Sequence, residues 1–198
     1  MMRLIRLPLL AFVLLSFATA CSGDASAGAP DSPPDQTTTY YVVRHAERNL
    51  GEDPPINEEG EVRAQRLADA LDQAGIDEIV ATLFVRTQQT GEPLAERTDI
   101  PISVAPPEMT SWPDFAAEVA EWQLDREVAG TTYLMIGHSS GYNTTLLQAL
   151  GAPVNEEVLA EAYQDIAILS REPDGTVKLS TLQYGGPSSL DELSGVTP

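Results

Sequence analysis

The sequence predicts an α/β protein, a three-layer α/β/α sandwich built on a mostly parallel central sheet. Short runs of β-branched and aromatic residues alternate with segments of helical spacing from Thr38 to Leu150, the pattern of a parallel sheet covered on both faces. These apolar runs stop abruptly at polar or glycine-rich turns. The chain also has only two histidines, and each directly follows such a run, in Val42-Val43-Arg44-His45-Ala46-Glu47 and Met135-Ile136-Gly137-His138-Ser139-Ser140-Gly141. Both imidazoles are therefore expected at the carboxyl ends of strands, where open α/β sheets bind ligands.

Taken in order, a first strand ends at Val43, and Asp53-Pro54-Pro55 makes a turn. Asn57 caps a helix from about Glu58 to Ala74, with Val62, Leu67, Ala70 and Leu71 as its apolar stripe and Gly75 as its stop. A short second strand lies within Ile76 to Leu83, followed by a helix from about Thr87 to Arg97. Ile102 to Val104 forms a third strand. Prolines break the segment from Ala105 to Asp114 into a loop, and helical spacing returns from Phe115 to Val128. Tyr133 to Ile136 is a buried strand and Tyr142 to Leu150 a helix. Ile166 to Ser170 and Val177 to Tyr184, joined through Pro173-Asp174-Gly175, form a hairpin at the antiparallel edge of the sheet. The last dozen residues are expected to be a loose tail.

The first twenty residues lie outside this plan. Two arginines and no acid precede an apolar run from Leu7 to Ala18, and Ala18-Thr19-Ala20 leads into Cys21, the only cysteine, as in a signal peptide. The apolar run is far shorter than the ~20 residues a spanning helix needs. The Ala-Thr-Ala-Cys ending resembles the lipobox of bacterial lipoproteins, with Ala18 where that motif usually has leucine. It implies a lipidated Cys21, an exported protein and a lipid anchor in a bacterial cell envelope. Residues 22–37 carry no large apolar side chain and read as a disordered tether. The expected organisation is a leader over 1–20, a tether over 21–37 and one folded domain over 38–198.

Charge narrows the partners. Eleven basic residues against 30 acidic give a formal net charge of −19, more negative still once Arg3 and Arg6 leave with the leader. Such a field disfavours nucleic acid and anionic headgroups, so acyl chains on Cys21 would be the only membrane attachment.

Three chemistries compete for the histidines. Gly137-His138-Ser139-Ser140-Gly141 matches the Gly-x-Ser-x-Gly nucleophile elbow, but that arrangement needs a histidine after the serine in chain order, and none follows His138. A metal site is disfavoured because helical His-x-x-x-His spacing is absent and Arg44 would set a fixed positive charge beside His45. Phosphate fits better: guanidinium forks match phosphoryl oxygens bidentately, and fixed positive groups supply most of the stabilisation in phosphoryl transfer. Arg44 and Arg86 are the clamp candidates, Arg86 just before the helix from Thr87, whose free N–H groups can face the same anion.

At this point a family resemblance emerges. Arg44-His45-Ala46-Glu47 resembles the Arg-His-Gly/Ala-Glu signature of the histidine phosphatase superfamily, the phosphoglycerate mutase-like fold. Ile56-Asn57-Glu58-Glu59-Gly60-Glu61-Val62-Arg63-Ala64 is similar to the helix start that follows it, Arg86-Thr87-Gln88-Gln89-Thr90-Gly91-Glu92-Pro93-Leu94-Ala95 to the second-arginine segment, and Gly137-His138-Ser139 to the second-histidine loop. The four motifs keep the family's order from Tyr40 to about Leu150.

The resemblance implies a phosphatase for a small phosphomonoester or a phosphoprotein, needing no metal or organic cofactor. His45 is the implied nucleophile, forming a phosphohistidine that water hydrolyses. Arg44, Arg86 and His138 surround the phosphoryl oxygens, with His138 protonated or donating a hydrogen bond. The family's acid pattern is not reproduced, and Glu108, on the proline-rich loop, is the candidate proton donor, with Asp114 the alternative. Glu47 is expected to position the Arg-His loop, and Ser139 and Asn143 to donate hydrogen bonds near the pocket. The alternative function is a non-catalytic lipoprotein that holds a phosphorylated ligand in the same pocket.

Overall fold

A computed structural model describes residues 36–105, 111–139, 141–153 and 162–186. The leader, Cys21, most of the tether, Glu108 and the C-terminal tail lie outside these residues. Among these described residues, six strands and four helices follow one another: β1 Thr38–Arg44, α1 Glu58–Leu71, β2 Glu78–Ala81, α2 Val85–Thr98, β3 Ile102–Val104, α3 Trp112–Asp125, β4 Thr132–Gly137, α4 Tyr142–Ala149, β5 Asp165–Arg171 and β6 Val177–Gln183. The strands form one sheet in the order β3-β2-β4-β1-β5-β6. The first four are parallel, while β5 runs antiparallel to β1 and β6 antiparallel to β5. This is the α/β class with a mostly parallel sheet, and the hairpin forms its antiparallel edge.

Period-2 alternation assigns the strand side chains to two cores. Tyr40, Val42, Val80, Tyr133 and Met135 face one side, against Phe115, Val119, Tyr142 and Leu146 of α3 and α4. Val43, Ile79, Leu134 and Ile136 face the other, against Leu67, Leu71 and Leu94 of α1 and α2. The facing pair Tyr40 and Tyr133 stack with ring centroids 5.0 Å apart.

Helix boundaries depart from the sequence pattern in ways that matter for the site. In α1, Asn57 caps as expected, its Oδ1 accepting from the Gly60 N–H at 2.9 Å, but Val62 and Ala70 are exposed. The buried stripe is instead Gly60, Ala64, Leu67, Ala68 and Leu71, with Arg63 inside it, because Gly60 lies directly under the Glu47 carbonyl and Leu67 and Leu71 pack with Leu94 of α2. Helix α2 begins at Val85, two residues before the expected Thr87. The carboxylate of Asp53 receives the Val85 N–H at 3.2 Å and so supports an earlier first turn. Helix α3 likewise starts before Phe115, where Ser111 accepts from the Asp114 N–H at 3.3 Å and returns its hydroxyl proton to that side chain at 2.6 Å.

The topology brings the two histidines together. Strands β1 and β4 are adjacent, with Arg44 in register with Gly137. The chain leaves β1 through α1, on one face, and leaves β4 through α4, on the other. A crevice opens at the carboxyl ends of neighbouring strands whose connections diverge in this way.

Candidate active site

His45 and His138 are the first residues beyond β1 and β4, and their ring centroids lie 5.5 Å apart. The His45 N–H donates to the Gly137 carbonyl at 3.0 Å, continuing the β1–β4 ladder one step past the strands. Both imidazoles are 3% exposed. His45 Nδ1 lies 2.7 Å from the carbonyl of Ala46. A carbonyl only accepts, so Nδ1 carries the ring proton and Nε2 keeps its lone pair. Burial, reinforced by Arg44, Arg86 and Arg48 and partly offset by the Ala46 hydrogen bond, pushes the His45 pKa down to about 3. The imidazole is therefore neutral, with Nε2 unprotonated as a nucleophile must be.

His138 is wedged between aromatic rings. Tyr142 and Phe84 meet it edge-on at 4.9 and 5.2 Å, and the Phe115 centroid lies at 6.4 Å. Burial holds its pKa well below the ordinary histidine value, with His45 and the arginines adding to the effect. Gly137 permits this packing: a Cβ there would stand 2.3 Å from Asn143 Oδ1 and 2.6 Å from Tyr142 Cε1. Asn143 Oδ1 accepts the His138 backbone N–H at 3.2 Å.

Two arginines flank the pair. Arg86, in the first turn of α2, is buried, with Nη2 3.4 Å from His138 Nδ1 and Nη1 donating to Asp53 at 3.2 Å. Among the described residues, its buried Nε has no hydrogen-bond partner. Its Cζ lies 4.2 Å from the Phe84 ring centroid. Burial lowers its pKa, Arg48 lowers it further and Asp53 opposes the shift, yet a guanidinium remains charged. Arg44 lies across the Tyr163 ring, Cζ 3.7 Å from the centroid, and Nη2 donates to the phenol oxygen at 3.0 Å. Tyr163 also meets the His45 ring edge-on at 6.0 Å.

The loop carrying His45 is anchored from below. Glu47 is fully buried and accepts from Arg63 Nε at 2.7 Å, while its carbonyl accepts the Asn57 N–H at 2.9 Å. A Cβ on Gly60 would stand 2.1 Å from that carbonyl oxygen, so only glycine lets α1 begin directly under the loop. Glu47 thus holds the loop, as its place in the sequence suggests.

The structure brings together Arg44, His45, Arg86 and His138. Asp114 is in the first turn of α3, exposed and engaged with Ser111, one residue before Phe115 of the aromatic wall. Sequence reasoning missed Arg48, Thr82, Tyr163 and Asp53. Arg48 is the second arginine in five positions of a chain otherwise poor in basic residues, a signal that was present. Thr82 follows β2 just as the histidines follow β1 and β4. Tyr163 and Asp53 carry no such local mark.

A 320 Å³ hollow lined by Arg48, Asn49, Leu50, Asn57 and Tyr163 adjoins the site. A larger one of 470 Å³, between α1 and α2 with Glu61, Glu92 and Glu96 on its rim, contains none of these imidazoles or arginines. Among the described residues, no group of three or more His, Cys, Asp or Glu side chains is placed to hold a metal ion.

Residues 40–109 match the family model described as histidine phosphatase superfamily (branch 1). No curated protein sequence matches the chain. Among solved structures, the protein histidine phosphatase SixA complexed with tungstate is similar with a TM-score of 0.56 and 17% identity, over 73% of this chain and 96% of that one. A mycobacterial glucosyl-3-phosphoglycerate phosphatase gives 0.54 at 15% identity, over 75% and 98%. Phosphoserine phosphatase from Entamoeba histolytica, in complex with 3-phosphoglyceric acid, gives 0.50 at 13% identity, over 76% and 98%. At these identities the likeness is one of fold.

Proposed function

We propose that this chain, whose residues 40–109 match the branch 1 model of the histidine phosphatase superfamily, is a metal-independent phosphoric monoester hydrolase working through a phosphohistidine on His45. One observation carries the reading. His45 Nδ1 donates to the Ala46 carbonyl while the ring stays neutral, so Nε2 keeps its lone pair and is a nucleophile set beside Arg44, Arg86 and His138.

In the first step Nε2 attacks phosphorus, a P–N bond forms and the ester P–O bond breaks, its oxygen leaving with a proton. In the second, water attacks the same phosphorus, the P–N bond breaks, and inorganic phosphate departs as the imidazole is restored. Two easier displacements replace one hard one. The buried guanidinium of Arg86 and that of Arg44 oppose the charge on the equatorial oxygens, where low dielectric strengthens each contact. Glu108 is assigned the leaving-group proton, with Asp114 the alternative.

The substrate class is a small phosphomonoester or a phosphoprotein. The chain is further assigned to the bacterial cell envelope, exported and held by acyl chains on Cys21.

Turnover of an aryl phosphate is the direct test. It is expected to survive chelation, to be inhibited by vanadate, to accumulate an acid-labile phosphoenzyme during turnover and to vanish in His45→Ala. Full activity in that variant overturns the mechanism, and phosphate binding without any phosphoenzyme returns the chain to a binding role. Glu108→Gln is expected to slow an alkyl phosphate more than an aryl one, since only the poorer leaving group needs the proton. For the anchor, labelled palmitate is expected in the wild-type chain and not in Cys21→Ser; an unlabelled wild type overturns it.

A further inference from the structure

Three hydroxyl and imidazole groups behind the site form a chain that the mechanism above does not use. His138 Nε2 lies 3.0 Å from Thr82 Oγ1, and Thr82 Oγ1 lies 3.0 Å from Thr87 Oγ1. The Thr87 hydroxyl donates to the Phe84 carbonyl at 2.7 Å or the Thr82 carbonyl at 3.1 Å. All three side chains are buried, at 1% exposure or less for the threonines.

The direction of this chain follows from which atoms have protons to give. Arg86 Nη2 only donates, and it faces His138 Nδ1 at 3.4 Å, so Nδ1 accepts and the ring proton is on Nε2. Thr82 Oγ1 then accepts from Nε2–H and must pass its own proton on. Thr87 Oγ1 accepts it, because the Thr87 proton is already committed to a carbonyl. Every donor points one way, from imidazole to backbone, an arrangement in which successive hydrogen bonds polarise one another.

We propose that Thr82, relayed through Thr87, is a positioning residue for His138 that holds Nε2–H in both protonation states, so that Nδ1 alone gains a proton when the phosphoryl group arrives. The inference rests on the phosphatase reading for its use, though not for its geometry. Among the described residues, the charged groups facing His138 are Arg86, Arg48 and Arg44, with His45 beside it, and the rings of Phe84, Phe115 and Tyr142 pack against it. An arriving phosphate dianion offsets the arginines and invites a proton onto the ring. With Nε2–H already satisfied, that proton goes to Nδ1, beside Arg86 Nη2, and both then donate to the same anion. The Thr82 hydroxyl supplies an acceptor for the buried Nε2–H at 3.0 Å, and removing it forces that proton to find another arrangement.

The test uses ¹⁵N-histidine NMR of the whole protein, which is unambiguous because the chain has two histidines. In the free wild type, the His138 ring is expected to show a protonated Nε2 and an unprotonated Nδ1, the reverse of His45. Thr82→Val keeps the branched shape and removes the hydroxyl. It is expected to move His138 toward the Nδ1–H tautomer while leaving the His45 signals in place, and to lower kcat by roughly tenfold or more with a smaller change in KM. Thr82→Ser is expected to restore both the tautomer and most of the rate. The proposal is overturned by a wild-type His138 carrying its proton on Nδ1, or by a Thr82→Val protein with both tautomer and kcat unchanged. An inactive wild type with the expected tautomers sinks the phosphatase reading alone and leaves the relay standing.

Discussion

Asp53 Oδ1 lies 3.2 Å from Arg86 Nη1 and 3.2 Å from the Val85 amide nitrogen. A carboxylate of the chain itself thus occupies the angle between the second arginine and the first turn of α2, where the sequence suggested a substrate anion would sit. An incoming phosphoryl group meets this negative charge as a competitor for Arg86. Asp53→Asn is expected to tighten the binding of inorganic phosphate about fivefold at low salt, the equivalent of roughly 1 kcal/mol for a half-exposed charge. Calorimetric titration reads the change, and weaker binding in the variant would mean that Asp53 serves to hold Arg86 in place.

The Glu47–Arg63 pair is closed off from water on both sides, at 0% and 3% exposure. Removing one partner strands the other charge in the core, so Glu47→Ala is expected to cost about 3–5 kcal/mol. Arg63 also donates to the Gly186 carbonyl at 3.0 Å, which keeps the arginine tied down when its acid is gone. Urea unfolding gives the loss, and a midpoint within error of the wild type would show that the pair does not anchor the loop.

Gly60 sits under the loop carrying His45, with room for no methyl group. Gly60→Ala forces α1 or the Glu47 carbonyl to move, since the new carbon would start 2.1 Å from that oxygen. Overpacking of this kind costs roughly 1–3 kcal/mol, and the displaced loop carries His45, the proposed nucleophile. The expected outcome is a lower melting temperature together with a lower phosphoenzyme yield. Loss of stability with a normal yield would separate the loop from the chemistry.

Both histidines are buried unprotonated, which gives the fold a definite response to acid. Their folded pKa values lie below the unfolded value near 6.5, His45 at about 3, so below that value the unfolded chain binds more protons. Stability contributed by each is present above about pH 6.5 and is lost as pH falls toward the folded pKa, by up to about 1.4 kcal/mol per pH unit. Urea midpoints at pH 7 and pH 5 are expected to fall less in a His45→Asn variant than in the wild type. Equal falls would assign the acid sensitivity to carboxylates elsewhere.

The sheet and its functional edge were legible because strands buried on both faces read as apolar runs, and because such runs ending at His45 and His138 are hard to misplace. The antiparallel hairpin was legible from Pro173-Asp174-Gly175. Helix starts were less so: α2 opens at Val85 on a carboxylate contributed by Asp53, more than thirty positions upstream, and no local pattern encodes that contact. The apolar stripe of α1 was misassigned at Val62 and Ala70 because the buried face is built partly of Gly60, Ala64 and Ala68, small residues that carry little hydrophobic signal. Tyr163 shows the limit most clearly. It becomes part of the site only by crossing from the start of β5 to lie beside Arg44, a tertiary placement with no periodicity behind it.

The lateral pairing of β1 with β4, Arg44 against Gly137, also governs when the protein can act. The two imidazoles belong to segments far apart in the chain, and they meet only after that long-range parallel pairing has closed. Such non-local contacts bear the largest loop-closure cost and form slowly. A chain still emerging from its ribosome, or held extended, has an Arg-His loop and no site to use it in. Recovery of turnover after dilution from denaturant is therefore a clock for the joining of the two central strands, running independently of how quickly the individual helices return.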